Sequence, residues 1–253
     1  MDKEQFDVLV DTVLETTARP PEKLFAGGYE DWHCRARLAH FLAMPELNRP
    51  EAAKELFHSI IDVEPDPENA EDIEEKTYAL QHLSQMEREA NRYEEALNYI
   101  NIALETAEES DFLYKYILRG ELWADRWNLL HLMNRTEEAE AEADERIGFF
   151  KDIPVAHNSY LYYGYRFKAQ LAAERGVVLV AKDFMHMALH AMDIPPINQE
   201  KLKTAFEAQH ENISWIMAEI DKATPNPDNI HWDIYSQPTK IPLHCPSVAG
   251  FLF

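Results

Sequence analysis

The chain has 253 residues and a formal charge of −22, because 46 Asp and Glu residues outnumber 24 Lys and Arg residues. Hydrophobic residues make up 46% of the sequence, so the acidity is laid over a chain that can bury a core, and a wholly disordered acidic chain is excluded. The charge argues against nucleic acid and against an anionic membrane surface as partners, since both bind through clustered Lys and Arg.

The first predicted element is an amphipathic helix over about residues 2–17, which we expect to cap the fold within residues 1–28. Its apolar positions recur at helical spacing: Phe6, Leu9, Val10, Val13 and Leu14. The sequence shows no signal peptide and no stretch approaching the ~18 apolar residues of a membrane span. Cys34 and Cys245 lie far apart in the chain and are interpreted as free thiols. Together these features predict a cytoplasmic protein.

A hexapeptide then recurs through the middle of the chain. Asn48-Arg-Pro-Glu-Ala-Ala53, Asn91-Arg-Tyr-Glu-Glu-Ala96 and Asn134-Arg-Thr-Glu-Glu-Ala139 start 43 residues apart, and Gly176-Val-Val-Leu-Val-Ala181 is a weaker fourth copy. Asn tolerates the left-handed backbone that ends a helix, or caps the next one, and Glu three residues later favours the first turn of a helix. The pattern predicts an all-α fold with four helix-turn-helix pairs in residues 29–193. Their first helices are expected at about 29–44, 72–90, 112–133 and 157–175.

The segment Tyr93-Glu-Glu-Ala-Leu-Asn-Tyr-Ile-Asn-Ile-Ala-Leu-Glu105 resembles the second helix of a tetratricopeptide repeat (TPR). Trp123 and Gly176 fall where this family usually has a large aromatic residue and a turn glycine. The period of 43 exceeds the roughly 34 residues of the family, and HEAT-like repeats have a period nearer to it. The resemblance covers about residues 29–193 and implies a right-handed α-α superhelix, a TPR-like solenoid.

A C-terminal helix is predicted within residues 194–223, after the fourth pair. The sequence has an apolar stripe there: Leu202, Phe206, Ile213, Ile216, Met217 and Ile220. With this helix, residues 1–223 form a single domain of about ten helices.

The first helix of each pair lines the concave face in TPR proteins, so the resemblance implies a scaffold that binds a protein or peptide segment and is not an enzyme. Ala53, Ala96, Ala139 and Ala181 anchor the family register. That register gives eleven candidate binding residues: Tyr78, Gln81, His82, Gln85, Arg88, Glu121, Asp125, Asn128, Tyr163, Arg166 and Gln170. Leu38 and Leu42 occupy matching places in the first pair, which argues against the dicarboxylate clamp of the family. If the face shares the acidity of the chain, its partner is neutral or basic.

The pattern changes at Thr224. Five prolines in residues 224–253 exclude a regular helix, while Trp232, Tyr235, Phe251 and Phe253 are not typical of a solvated tail. We expect this tail to be extended and docked, either along its own solenoid or in the groove of a neighbouring copy. Exchange of tails between copies would give a self-assembling structural protein, which is one alternative to the scaffold.

The other alternative is a hydrolase or transferase with its site inside the superhelix. Asp183, His186 and His190 are spaced i, i+3, i+7 on one helix face, and they are the sequence's weak candidate for a metal site. A metalloprotease helix has Glu directly after its first His, and here Met187 stands in that place. With only 7 glycines and no nucleotide-binding loop, no cofactor is predicted. His33 and Cys34 point about 100° apart on a helix and are not expected to form a nucleophilic pair.

Overall fold

The computed structural model describes residues 1–17, 24–108, 119–151 and 158–191. Within these ranges all regular structure is helical, with nine α-helices and no β-strand, which confirms the predicted all-α class. None of the helices in these ranges is both long enough and apolar enough to cross a bilayer. The predicted C-terminal helix (194–223) and the predicted tail (224–253) lie outside the described residues.

The chain divides into two compact units, Met1–Lys115 and Tyr116–Phe253. The first unit contains α1 (Lys3–Thr17), α2 (Trp32–Ala43), α3 (Pro50–His58), α4 (Ala70–Glu89) and α5 (Tyr93–Glu108). The second unit contains α6 (Arg119–Leu132), α7 (Thr136–Phe150), α8 (Ser159–Glu174) and α9 (Val178–Ala191). The helices α2, α4, α6 and α8 fall on the four segments predicted as first helices.

The four turns between paired helices share one backbone feature, a residue in the left-handed region. Its φ is 46° at Asn48, 59° at Asn91, 60° at Asn134 and 77° at Gly176. In the last three turns the N–H of the next residue donates to the carbonyl five residues earlier at 2.8 Å: Arg92 to Glu87, Arg135 to Leu130, and Val177 to Ala172. This hydrogen bond ends the first helix of the pair, and it forms because the residue at the turn has a left-handed backbone. Asn and Gly recur here because they adopt this backbone at the lowest cost.

The repeat alanines have the same local environment in every pair. Ala53, Ala96, Ala139 and Ala181 have no exposed surface. Each of their N–H groups donates to the carbonyl four residues earlier, at 3.0 to 3.1 Å, in the first turn of the second helix. Each alanine therefore lies in the first turn of its second helix, on the side that packs against neighbouring helices.

Helix packing follows the same order within each unit. In the first unit α2 packs against α3 and α4, α3 packs against α4, α4 packs against α5, and α1 packs against α2. In the second unit α6 packs against α7 and α8, α7 packs against α8, and α8 packs against α9. In both units, therefore, the earlier first helix contacts its own second helix and also the first helix of the following pair.

Two glycines of the second unit lie where helices approach closely. A Cβ on Gly120 in α6 would lie 2.4 Å from the backbone carbonyl carbon of Ser159 in α8. A Cβ on Gly164 in α8 would lie 2.7 Å from Cγ1 of Ile147 in α7. The buried indole of Trp127 in α6 lies 3.9 Å from the same Gly164 position, so α8 approaches both α6 and α7 closely.

Ion pairs add to the packing of α7. Glu142 accepts hydrogen bonds from Arg126 of α6 at 2.7 and 2.9 Å. Glu140 pairs with Lys168 of α8 at 3.0 Å and with Arg175 at 2.6 Å, and these contacts lower the pKa of the Glu140 carboxyl to about 2, with the Arg175 hydrogen bonds as the main cause. The acidic run of α7 is therefore partly a set of contacts to its neighbours.

Candidate functional site

The predicted binding residues lie on one first helix of the first unit and two of the second. Tyr78, Gln81, His82, Gln85 and Arg88 are on α4. Glu121, Asp125 and Asn128 are on α6, and Tyr163, Arg166 and Gln170 are on α8. Tyr78, Tyr163, Arg166 and Gln170 are buried, and the other seven are half-buried. These faces are thus packed to a degree that helical register alone did not indicate.

In the first unit, His82 belongs to an aromatic cluster that joins three helices. Its ring stacks on Phe57 of α3 with centroids 5.3 Å apart and planes 7° apart. The ring of His40, from α2, meets His82 edge-on at 4.8 Å, and Tyr78 lies 6.4 Å from His40. Burial, together with the nearby His40, lowers the pKa of His82 to about 3. His82 is therefore a neutral, half-buried ring packed against Phe57 and His40 at physiological pH.

The more accessible part of the α4 face is a strip formed by Gln81, Gln85 and Arg88, which we call the α4 strip. Their spacing of four and three residues places them on one side of the helix. All three are half-buried, and Nε2 of Gln85 donates to Oε1 of Glu89 at 3.2 Å. Two amides and a guanidinium in a row present both donors and acceptors to a bound chain.

Lys76 is a buried cation on α4 that the sequence analysis missed. Its Nζ donates to the carbonyls of Ile60 at 2.7 Å and Val63 at 2.8 Å, and also to that of Ile61. Burial lowers the pKa of this amine to about 8. The lysine thus donates to three carbonyls that follow α3, of which that of Ile60 also accepts the N–H of Val63 at 3.2 Å. Its position between Ile73 and Leu80 on the apolar side of α4 was the one available signal in the sequence.

Two buried glutamates of α4 have opposite environments. Glu87 pairs with Lys54 at 2.5 Å and with Arg92; burial opposes ionisation, but the hydrogen bonds from these two cations lower the pKa of Glu87 overall. Glu74 is 7% exposed, and its Oε1 has no hydrogen-bond partner within the described ranges. Burial raises the pKa of Glu74 to about 8, helped by the nearby charges of Glu75 and Glu71. Glu74 is therefore mainly protonated at pH 7.

In the second unit, four predicted binding residues come together between α6 and α8. We call Glu121, Asp125, Tyr163 and Arg166 the α6–α8 cluster. Burial raises the pKa of the Tyr163 hydroxyl well above its usual range, and the charges of Glu121 and Asp125 raise it further, while that of Arg166 lowers it. Arg166 is 6% exposed, and its Nε and Nη2 have no hydrogen-bond acceptor within the described ranges. The cluster thus combines a buried guanidinium, which also lies against the Tyr162 hydroxyl, with two half-buried carboxylates.

The C-terminal end of α8 is tied to α6 by Glu174, whose Oε2 lies 3.1 Å from Nε2 of His131. The predicted binding residue Gln170 supports this carboxylate, since its Nε2 donates to Oε1 of Glu174 at 3.0 Å. Nδ1 of His131 is 2.8 Å from the hydroxyl of Thr136. The hydrogen bond to Glu174 is the main cause that raises the pKa of His131. Gln170 is thus hydrogen-bonded within the fold. Asn128, the remaining predicted binding residue, is half-buried on α6.

The weak metal candidate is not assembled into a site. Asp183, His186 and His190 are exposed along α9. Across the described part of the chain there is no group of three His, Cys, Asp or Glu side chains placed to hold a metal ion. The helical spacing of these three residues therefore does not by itself bring them together around one point.

His33 and Cys34 do not face one another. Nε2 of His33 lies 3.0 Å from Oδ1 of Asp72, while the buried Sγ of Cys34 lies 3.4 Å from Oδ2 of Asp31 and 3.7 Å from the carbonyl of Leu24. Burial, followed by the charge of Asp31, raises the pKa of the Cys34 thiol. The thiol is therefore a poor nucleophile and a packing residue of α2.

Comparison with known proteins adds no relative: no protein-family model, no curated protein and no solved structure matches this chain. Any functional proposal therefore depends on the repeat, on the order in which its helices pack, and on the residues that its first helices present.

Proposed function

We propose that this chain is a TPR-like helical-repeat scaffold that binds a protein or peptide segment along its first helices and is not an enzyme. The order of helix contacts carries this proposal: in each unit the earlier first helix packs against its own second helix and against the next first helix. Stacking of that kind lets neighbouring pairs bury the faces that one pair alone would leave in water. The left-handed residue at 48, 91, 134 and 176 supports the same repeat.

The proposed contacts are the α4 strip in the first unit and the α6–α8 cluster in the second. An extended peptide presents alternating N–H and C=O groups, and glutamine amides can bind both. The guanidinium of Arg166 supplies donors for carbonyl oxygens, while Glu121 and Asp125 favour a segment without negative charge. The charge of −22 acts in the same direction at longer range. We therefore propose a neutral or basic segment as the partner.

The sequence supports two further parts of the proposal. The fixed spacing of 43 residues between the hexapeptides favours one right-handed superhelix over residues 1–223. The buried free thiol of Cys34 favours a reducing compartment, and we propose the cytoplasm.

The test begins with selection of binding peptides from a displayed random library on the full chain, followed by affinity measurements by calorimetry. We expect neutral or basic peptides whose Kd rises about tenfold or more when Gln85 and Arg88 are replaced by Ala together, or when Glu121 and Asp125 are replaced by Ala together. The matched controls are Glu94→Ala on α5 and Glu145→Ala on α7, both exposed, which should change Kd less than about twofold. Peptides that bind equally well to all variants, or that lose affinity only in the controls, would rule out these faces.

A further inference from the structure

The helix α9 exposes several aliphatic side chains on its outer side. Leu179 is 76% exposed, Val180 41% and Met187 44%, and Val177, just before the helix, is 46% exposed. Single exposed apolar residues are ordinary, whereas neighbouring ones form a surface that another segment can cover. Val180 and Met187 are seven residues apart on one side of the helix, and the exposed Asp183 and His186 lie on the adjoining side with Leu179. We call Leu179, Val180 and Met187 the α9 patch.

These positions differ from those of the other copies of the repeat, where the first copy has an exposed Glu51 and a half-buried Ala52. Leu179 and Val180 stand two and one residues before the repeat alanine. In the second and third copies both places carry exposed glutamates: Glu94 and Glu95 in α5, Glu137 and Glu138 in α7. Two positions that expose carboxylates to water in the second and third pairs thus expose aliphatic side chains in the fourth pair. Aliphatic side chains at these positions favour their burial by a segment that follows the fourth pair.

The chain itself supplies a segment of suitable length and pattern. Residues 192–253 follow α9 directly, and within them residues 197–223 carry the predicted apolar stripe from Leu202 to Ile220. As a helix, that stripe would extend about 27 Å, and α9 is about 21 Å long, so one can cover the other along its whole length. Only residues 192–196, which include two prolines, connect them. So short a connection suits antiparallel neighbours and gives the segment a local concentration in the millimolar range.

We propose that residues 197–223 form a helix that docks in cis on the α9 patch and closes the repeat array. This inference concerns the end of the array and holds whether or not the first helices bind a peptide. The tether favours this segment over a second copy of the chain, which must first be recruited from solution. The apolar stripe favours it over the proline-containing tail, because prolines remove backbone donors and prevent a continuous helical face.

The experiment is hydrogen exchange of the full chain followed by mass spectrometry. In the wild type we expect amides of residues 197–223 to exchange at least about tenfold more slowly than those of an unstructured chain. The double variant Leu179→Glu, Val180→Glu places the residue type of α7 at the patch and should abolish that protection. Phe206→Glu, in the segment itself, should have the same effect without altering α9. The control Val8→Glu changes an aliphatic side chain that is 60% exposed on α1 and should leave residues 197–223 protected.

Several results would overturn the proposal. Residues 197–223 that exchange at the unstructured rate in the wild type would show that no docked helix exists. Unchanged protection in both variants would show that the segment docks elsewhere. A dimer in light scattering that the double variant converts to a monomer, with residues 197–223 equally protected in both, would assign the patch to a second copy. If the double variant also unfolds α6 to α8, Phe206→Glu decides: selective loss of protection in 197–223 supports the docking, and retained protection refutes it.

Discussion

The buried carboxyl of Glu74 gives the sharpest test of how the first unit is assembled. The folded chain holds its proton up to a pKa of about 8, whereas the unfolded chain releases it near the ordinary value of 4.5. Because folding raises the pKa of this acid, ionisation of Glu74 favours the unfolded chain. The free energy of unfolding is therefore highest at low pH and falls as the pH rises from about 4.5 to about 8. Glutamine has nearly the same shape and cannot ionise. We therefore expect Glu74→Gln to stabilise the protein, and to do so more at higher pH.

The magnitude follows from the two pKa values, at about 1.4 kcal/mol for each unit of difference. Wild-type Glu74 lowers the free energy of unfolding by about 3 kcal/mol at pH 7, by about 1 kcal/mol at pH 5, and by almost nothing at pH 4. Urea unfolding followed by circular dichroism should show Glu74→Gln gaining these amounts over the wild type. Glu94→Gln, which changes an exposed carboxyl of α5, is the control and should show no such trend. A gain that is the same at pH 4 and pH 7, or a loss at pH 7, would refute the reasoning.

Three further predictions concern the histidine ring and the backbone. Folding lowers the pKa of His82 to about 3, so below pH 6.5 protonation of this ring in the unfolded chain destabilises the fold. The wild type should therefore lose about 2 kcal/mol of unfolding free energy between pH 7 and pH 5, and His82→Phe should not. Urea unfolding that shows the same pH dependence for both proteins would contradict this. Gly120→Ala should lower the free energy of unfolding by about 1–3 kcal/mol, since its Cβ would meet the Ser159 backbone. Gly148→Ala, with open space around it, should raise it by about 0.5–1 kcal/mol. Thermal unfolding compares the two variants, and a neutral Gly120→Ala would show that α6 and α8 can move apart. Because φ of Asn134 is 60°, Asn134→Ala should lower the free energy of unfolding by about 1–2 kcal/mol, and Asn134→Gly should leave it almost unchanged. Equal losses for both variants in denaturant unfolding would mean that the asparagine side chain, and not the backbone conformation, stabilises this turn.

The helices and their turns were visible in the sequence because they depend on local chemistry. Asn91 and Asn134 adopt the left-handed backbone that their residue type favours, and the buried Ala96 and Ala139 follow at a fixed distance. Such features depend on a few neighbouring residues, and a period of 43 repeats the signal. Helical spacing also places each candidate binding residue on its helix, since register depends only on the chain itself.

The degree of burial could not be predicted, because it depends on helices distant in sequence. His82 is on a half-polar side of α4, and only the approach of Phe57 and His40 packs its ring against other aromatic rings. The family register makes Arg166 a binding candidate, yet its side chain is buried against Tyr162, whose hydroxyl also lies near Glu121, 45 residues before Arg166. Lys76 looks like a solvated lysine until the carbonyls after α3 are placed around its amine. In each case the missing information was the identity of the neighbour.

The backbone of the repeat turns has a consequence for the chemical ageing of this protein. Asparagine deamidates when the backbone nitrogen of the next residue attacks the side-chain carbonyl and closes a five-membered ring. After Asn91 and Asn134 that nitrogen belongs to Arg92 and Arg135, and each donates a 2.8 Å hydrogen bond into the preceding helix. The attacking atom is thereby held away from its target while the turn is folded. The asparagines that end the first helices should therefore outlast those of an unfolded chain, and each turn preserves the residue on which its own geometry depends.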